Sequence, residues 1–132
     1  MRIFAILSFA LVPLLAPTVA DAAEDVAVVY DASGSMWGQI DGVSKVEIAR
    51  DVMGDLIATW PEGANIGLMA YGHRREGDCS DIETLIAPSP LDRATFISTV
   101  NGIMPRGRTP LTESVRQAAE LLSYRDTQAT VI

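Results

Sequence analysis

Short apolar runs alternate with segments of helical periodicity over most of the chain. The first run, at residues 25–30, has no polar residue after Asp25, which is typical of a strand buried on both faces of a sheet. Similar runs lie at residues 64–71, 81–87 and 129–132. Because the segments between them mostly carry helix signals, the pattern predicts an α/β protein, with an open sheet covered by helices on both faces.

Two of the helical segments begin with capping signals. Ser44 and Glu47 form an S-x-x-E capping box ahead of an apolar stripe that reaches Trp60, where a proline follows. Asp92 is expected to cap a second helix. Serine and aspartate side chains accept hydrogen bonds from the first free N–H groups of a helix, so both positions predict where a helix begins.

A third helix is expected to open at Thr109, with the threonine hydroxyl as its cap and Pro110 at the first helical position. The segment before it, residues 102–108, is rich in turn-forming residues and predicts a connector. The stripe that this helix is predicted to bury consists of Leu111, Val115, Ala118, Ala119 and Leu122.

Composition and charge limit the class of protein. The chain has 132 residues, 48% hydrophobic and 20% charged, which excludes collagen-like and disordered sequences and indicates one globular domain. Ten basic residues against 17 acidic ones give a net charge of −7. Because nucleic acids are bound mainly through positive charge, a nucleic-acid partner is not expected.

The N-terminal segment has the pattern of a secretory signal. Arg2 precedes an almost unbroken apolar run, and residues 20–22 (ADA) have the A-x-A form of a cleavage site. The run is shorter than the ~20 residues that a spanning helix needs, and prolines interrupt it. We therefore predict a signal peptide over residues 1–22, cleavage before Ala23, and a periplasmic or secreted protein. The alternative is an uncleaved membrane anchor.

Cys79 is the single cysteine of the sequence. An odd thiol in an exported protein is expected to form a disulfide, with a partner in another chain or in residues that this sequence does not contain. A buried free thiol is the alternative.

Asp31, Ser33 and Ser35 alternate in the loop that follows the first strand. Ligands of open α/β sheets bind beyond the carboxyl ends of the strands, which is where this loop lies. A curled loop can direct all three side-chain oxygens to one side, and Gly34 lets the backbone turn between the serines. Carboxylate and hydroxyl oxygens are hard ligands that suit Mg²⁺, Mn²⁺ or Ca²⁺. The loop is therefore a candidate metal site.

The D-x-S-x-S pattern after an apolar strand resembles the metal-ion-dependent adhesion site of von Willebrand factor type A domains. Thr109, in the sequence GRTPL, matches the threonine that this family supplies from a second loop. The segments DASGSMWG, AYGHRR and TPLTE are similar to those of exported bacterial members of the family. The resemblance covers essentially all of residues 25–132.

The resemblance implies a Rossmann-like sheet and one divalent cation held by Asp31, Ser33, Ser35 and Thr109, with Asp31 acting directly or through water. It also implies protein–protein recognition without turnover, in which an Asp or Glu carboxylate of a partner completes the coordination. A further aspartate of the family would follow the strand at which this sequence ends, and related proteins tend to carry a cysteine shortly after it. On this interpretation residues 23–132 are the N-terminal part of such a domain, incomplete on its C-terminal side, and the partner of Cys79 is missing with the rest.

Two other functions stay open on the residues alone. Asp31 could serve a metal-dependent phosphotransferase or hydrolase, although Ser33 stands where such enzymes carry a second aspartate. The chain could also be a truncated remnant that binds metal weakly and has no function. An EF-hand is disfavoured because Met36 occupies the position that requires glycine, and a serine hydrolase would need a G-x-S-x-G elbow. The prediction is a binding protein that is not an enzyme.

The charged side chains between residues 73 and 83 have functional interpretations of their own. Three basic residues could bind an anion, and three acidic ones could hold a second cation. We expect a solvated charged loop instead, and a single histidine is too few for a zinc site. The side chains are those of His73, Arg74, Arg75, Asp78, Asp81 and Glu83.

Overall fold

The computed structural model describes residues 24–132, and its main strands and helices follow the predicted order. The strands are β1 (Asp25–Asp31), β2 (Gln39–Ile40), β3 (Val43–Ser44), β4 (Asn65–Tyr71), β5 (Ile82–Pro90) and β6 (Ala129–Val131). The helices are α1 (Lys45–Ala58), α2 (Arg93–Gly102) and α3 (Leu111–Leu121), and a single 3-10 turn spans Gly34–Trp37.

The main sheet has the strand order β5-β4-β1-β6. β1 is parallel to both of its neighbours, and β5 is antiparallel to β4. β5 reverses direction because a loop, rather than a helix, connects it to β4. In the parallel pair Asp31 lies opposite Tyr71, so the loops that follow β1 and β4 emerge side by side at one edge of the sheet.

Helices cover both faces of this sheet, as predicted. Val28 and Tyr30 of β1 pack into a core with buried residues of α1 and α2. Ala27, on the opposite face of the same strand, packs with Met69 and with Ala118 of α3. Successive side chains of a strand point to opposite faces, so each central strand contributes to both cores. This explains why its residues are apolar without alternation.

Both predicted helix caps are confirmed. The Ser44 Oγ accepts a hydrogen bond from the Glu47 N–H at 3.4 Å, and the Glu47 carboxylate accepts one from the Ser44 N–H at 3.1 Å. The Asp92 carboxylate accepts hydrogen bonds from the N–H groups of Ala94 and Thr95 at 3.1 and 3.3 Å. Helices α1 and α2 therefore begin where local side-chain chemistry satisfies their first N–H groups.

The predicted start of the third helix is wrong by one residue. Pro110 is the N-cap of α3, with a ψ of 51° that lies outside the helical range, and no side chain caps the helix. The Pro110 carbonyl instead accepts hydrogen bonds from the N–H and the Oγ of Ser114, at 3.0 and 2.9 Å. Thr109 consequently precedes the helix and does not cap it.

The predicted buried stripe of α3 is also partly wrong. Leu111 and Val115 are 52% and 40% exposed, whereas Ser114, Ala118 and Leu122 are buried. Residues four apart lie on one face of a helix, so α3 is turned by about one residue from the apolar stripe.

The loop that follows β1, expected to be polar and without secondary structure, contains the 3-10 turn and leads into a short hairpin of β2 and β3. Asp41 and Gly42 have φ values of 50° and 85°, as the two-residue turn of a hairpin requires. In the sequence, the Asp-Gly pair is the feature that indicates such a turn. Because each strand has only two residues, no alternating pattern accompanies it.

Within residues 24–132 no helix has the length and apolarity needed to cross a membrane. The predicted signal peptide, at residues 1–22, lies outside the described residues.

Candidate metal centre

The loop after β1 is curled by its own side chains. The Asp31 carboxylate accepts a hydrogen bond from the Ser33 N–H at 2.8 Å, which bends the chain at the end of the strand. The Oγ atoms of Ser33 and Ser35 then lie 2.9 Å apart and hydrogen-bond to each other. Ser33 is only 1% exposed, whereas Ser35 lies at the surface. Three of the four predicted ligands are therefore held together by direct contacts.

Backbone hydrogen bonds tie this loop to two others. The Gly34 N–H donates to the Gly107 carbonyl at 3.0 Å, and the Gly107 N–H donates to the Gly72 carbonyl at 2.7 Å. The Arg106 N–H is shared between the carbonyls of Ala32 and Gly72, at 3.1 and 3.0 Å. The loops that follow β1 and β4 and the connector before α3 thus form one hydrogen-bonded unit.

Two glycines allow these loops to approach so closely. A Cβ added to Gly72 would lie 2.5 Å from the Arg108 carbonyl oxygen, and Gly72 also has a φ of 70°, a conformation that other residues rarely adopt. A Cβ added to Gly107 would lie 2.5 Å from the Arg75 carbonyl oxygen. Neither glycine is a predicted site residue, and only the contact between loops reveals its role.

Thr109, the fourth predicted ligand, lies two residues after Gly107. Its chain segment is therefore part of the same hydrogen-bonded unit as the loop that carries Ser33 and Ser35. Thr109 itself is exposed, and it is not the cap of α3. The structure places the threonine on the neighbouring loop at the same edge of the sheet.

Tyr71 is a polar neighbour of the site that sequence reasoning missed. It ends β4 directly opposite Asp31 and is 3% exposed. Burial raises the pKa of Tyr71 well above its ordinary value, and the Asp31 carboxylate raises it further. The phenol therefore stays protonated and adds no negative charge beside Asp31. In the sequence, only its position at the end of the apolar run of residues 64–71 could have indicated that it lies near the site.

The donor set fits a small, hard dication. Within residues 24–132 no three His, Cys, Asp or Glu side chains come together, so a metal here would be held mostly by hydroxyl oxygens. Oxygens at neighbouring corners of an octahedron are about 2.9 Å apart around Mg²⁺ and about 3.3 Å or more apart around Ca²⁺. The two serine Oγ atoms, 2.9 Å apart in their hydrogen bond, are close enough to occupy neighbouring corners around such an ion.

The charged loop between β4 and β5 is not simply solvated, because Asp81 is fully buried. Its carboxylate accepts hydrogen bonds from the N–H groups of Arg74 and Arg75, at 2.7 and 2.8 Å, and from the Arg74 Nε at 2.7 Å. Burial raises the pKa of Asp81, but these hydrogen bonds outweigh it and lower the pKa to about 2. Asp81 thus holds this loop together through hydrogen bonds from inside the fold. The expectation that the loop is a solvated turn is wrong for this residue.

Two further residues of this loop have defined positions. His73 Nε2 lies 2.8 Å from a Glu83 carboxylate oxygen, so the histidine is paired within the fold. Cys79 is an exposed free thiol in the described part of the chain, which excludes the buried-thiol alternative.

An open α/β sheet that carries an aspartate and two serines at the carboxyl end of a central strand defines a class of binding domain. Residues 26–132 match the von Willebrand factor type A domain, and the chain belongs to this family. The family is one of general adhesion and binding modules.

Two curated relatives come from Bacillus subtilis (strain 168). The uncharacterized protein YwmC is 30% identical over 116 residues, which cover 83% of this chain and 51% of YwmC. The uncharacterized protein YwmD is 28% identical over 98 residues, which cover 69% of this chain and 44% of YwmD. The chain thus spans about half the length of the curated relatives it matches.

Two solved structures share the fold. The conserved hypothetical protein BatB from Bacteroides thetaiotaomicron has a TM-score of 0.60 and 18% identity, over 74% of this chain and 45% of that one. An aerotolerance-related membrane protein from Bacteroides fragilis NCTC 9343 has a TM-score of 0.52 and 20% identity, over 64% of this chain and 40% of that one. At these identities the likeness shows the fold alone.

Proposed function

We propose that this protein recognises a protein partner through a divalent cation held by Asp31, Ser33, Ser35 and Thr109, and that it does so without turnover. Mg²⁺ is the preferred ion, with Mn²⁺ or Ca²⁺ as alternatives. The observation that carries the proposal is the serine pair, 2.9 Å apart and beside Asp31, on a loop tied by hydrogen bonds to the segment before Thr109.

The protein's own residues prepare the site in a consistent way. Burial fixes the Ser33 hydroxyl, and the Ser33 N–H holds the Asp31 carboxylate beside the serine pair, where it can bind a metal directly or through a water. Because Asp31 is the one carboxylate among the four proposed ligands, these residues leave a bound dication much of its positive charge and an open coordination position, which an Asp or Glu carboxylate of the partner completes.

We also propose that the protein acts outside the cytoplasm, as a periplasmic or secreted protein. The support is the signal pattern of residues 1–22, with cleavage before Ala23. The intact mass of the protein recovered from the exported fraction tests this: loss of residues 1–22 supports the proposal, and a retained N-terminus contradicts it.

Metal binding by the full chain is the first test of the site. Calorimetric titration with MgCl₂ and MnCl₂ should show one saturable site, and D31A or S33A should weaken it at least about tenfold, since each removes a ligand. Ser89→Ala is the matched control, because Ser89 lies exposed on β5 opposite Ile66, at the far end of β4 from the site. Equal affinity in D31A, S33A and the unaltered protein would contradict the proposal.

Partner recognition is tested separately from metal binding. Proteins of the exported fraction should be retained on the immobilised chain in Mg²⁺, released by EDTA, and retained by S89A but not by D31A. Retention that is unchanged in EDTA would contradict a cation-dependent mechanism.

The alternatives make different predictions. A phosphotransferase that uses Asp31 should gain a phosphoryl group there when incubated with acetyl phosphate and Mg²⁺, which intact mass would detect. A non-functional remnant should show no cooperative unfolding transition.

A further inference from the structure

Two arginines beside the candidate metal centre have no partner within the part of the chain that the structure describes. Neither guanidinium, that of Arg106 or that of Arg108, takes part in an ion pair or side-chain hydrogen bond there. The other arginines of residues 24–132 donate to backbone carbonyls, pair with carboxylates or contact an aromatic ring. These are Arg50 and Arg93 with carbonyls, Arg74, Arg75 and Arg116 with carboxylates, and Arg125 with Tyr124.

The backbone holds these two arginines firmly at the site. They flank Gly107. The Gly107 carbonyl accepts a hydrogen bond from the Gly34 N–H, and the Gly107 N–H donates one to the Gly72 carbonyl. Both side chains are exposed, and with Glu76, Gly77 and Gly107 they line a surface depression of about 420 Å³. Their charge is therefore presented on a fixed segment next to the candidate metal loop.

Unpaired positive charge at this place contrasts with the rest of the molecule, whose net charge is −7. A guanidinium forms two parallel, charge-assisted hydrogen bonds with a carboxylate, and an exposed arginine loses little hydration when it does so. Glu76 offsets only one of the two positive charges of the depression. The surface is thus complementary to an anionic group.

We infer that the partner segment is acidic at more than one residue: one carboxylate approaches the candidate metal loop and a second one binds Arg106 and Arg108. This inference rests on the proposed function, because it concerns the partner of the same site. A polypeptide is favoured over a nucleic acid because the chain as a whole carries a net charge of −7, which disfavours a long row of phosphates.

Binding of the full chain to immobilised poly-L-aspartate tests the inference, in excess MgCl₂ and in EDTA. The variant R106Q/R108Q should bind about tenfold more weakly in Mg²⁺, since an exposed charge pair typically contributes a few-fold in affinity. Added NaCl should weaken the binding of the unaltered protein to poly-L-aspartate more than that of the variant. Calorimetry with MgCl₂ alone should give the same metal affinity for both, because neither arginine is a proposed ligand.

Arg125→Gln is the matched control. It removes one guanidinium charge, against two in R106Q/R108Q, in the turn after α3, and α3 is about 16 Å long, so the change lies far from the site. Binding of R106Q/R108Q within twofold of the unaltered protein, or an equal loss in R125Q, would overturn the inference. So would tighter binding of single-stranded DNA than of poly-L-aspartate.

The failure of the proposed function has a different signature. If binding to poly-L-aspartate is the same in EDTA and in D31A but is lost in R106Q/R108Q, the arginine surface is supported and the role of the cation is refuted. If binding requires Mg²⁺ and Asp31 but is unaffected in R106Q/R108Q, the cation-dependent function is supported and the arginine surface is refuted.

Discussion

Asp81→Asn is the substitution for which the structure allows the most quantitative prediction. The carboxylate is fully buried and accepts three hydrogen bonds, from two backbone N–H groups and from the Arg74 Nε. Asparagine has nearly the same shape, but it has no charge and its amide group would place N–H donors against the donors of the loop. The change therefore tests the charge and the acceptor capacity of this side chain and leaves the packing almost intact.

The magnitude follows from the pKa of Asp81. The pKa falls from 3.8 to about 2 in the folded protein. At 1.36 kcal/mol per pKa unit this shift stabilises the fold by about 2 kcal/mol. Because the folded pKa is lowered, the stabilisation is fully present above pH of about 4 and is lost as the pH falls through about 2. D81N should thus lose about 2 kcal/mol at neutral pH, and the difference should shrink as the pH falls from about 4 to 2.

Urea unfolding at a series of pH values measures this difference, with the fluorescence of Trp37 and Trp60 as the signal. Asp126→Asn is the control, because Asp126 is exposed in the turn after α3 and its carboxylate makes no hydrogen bond within the described residues. A difference between D81N and the unaltered protein that stays constant from neutral pH to pH 2 would refute the reasoning. An equal loss in D126N would refute it as well.

Two further predictions concern local backbone structure. Gly72→Ala should destabilise the protein by about 3 kcal/mol, because the added Cβ would lie 2.5 Å from the Arg108 carbonyl oxygen and because Gly72 has a φ of 70°. Gly77 has a similar φ of 79° but open space around it, so Gly77→Ala should cost only about 1 kcal/mol. Thermal unfolding measures both, and equal losses would show that the contact between loops does not matter. Ser44→Ala should cost about 1 kcal/mol in urea unfolding, because the Glu47 N–H loses its acceptor, and a loss below about 0.3 kcal/mol would contradict the capping role.

Local sequence signals predicted most of the secondary structure. The capping box of Ser44 and Glu47 and the cap at Asp92 lie where expected, because a cap involves residues only two or three positions apart. The Asp31-Ser33-Ser35 loop curls as expected for a related reason, since its internal hydrogen bonds join residues two apart. Such interactions depend on the neighbouring sequence alone, so a pattern can reveal them.

Interactions between distant segments were not predictable in this way. The exposed face of α3 could not be read from its apolar stripe, because the contacts of Ala118 with the sheet set the rotation of the helix. Asp81 looked like one more charge in a polar loop until the chain folded around it. Tyr71 and Asp31 are neighbours only because β1 and β4 pair in parallel.

The sequence by itself therefore determined the α/β class, the starts of two helices and the oxygen-rich loop after the first strand. Tertiary structure decided which loops join that one, through Gly72 and Gly107, and where Arg106 and Arg108 are held. The physical reason is that the hydrogen bonds of the site span the sequence from residue 32 to residue 107, and only the pairing of the strands brings these backbone groups together.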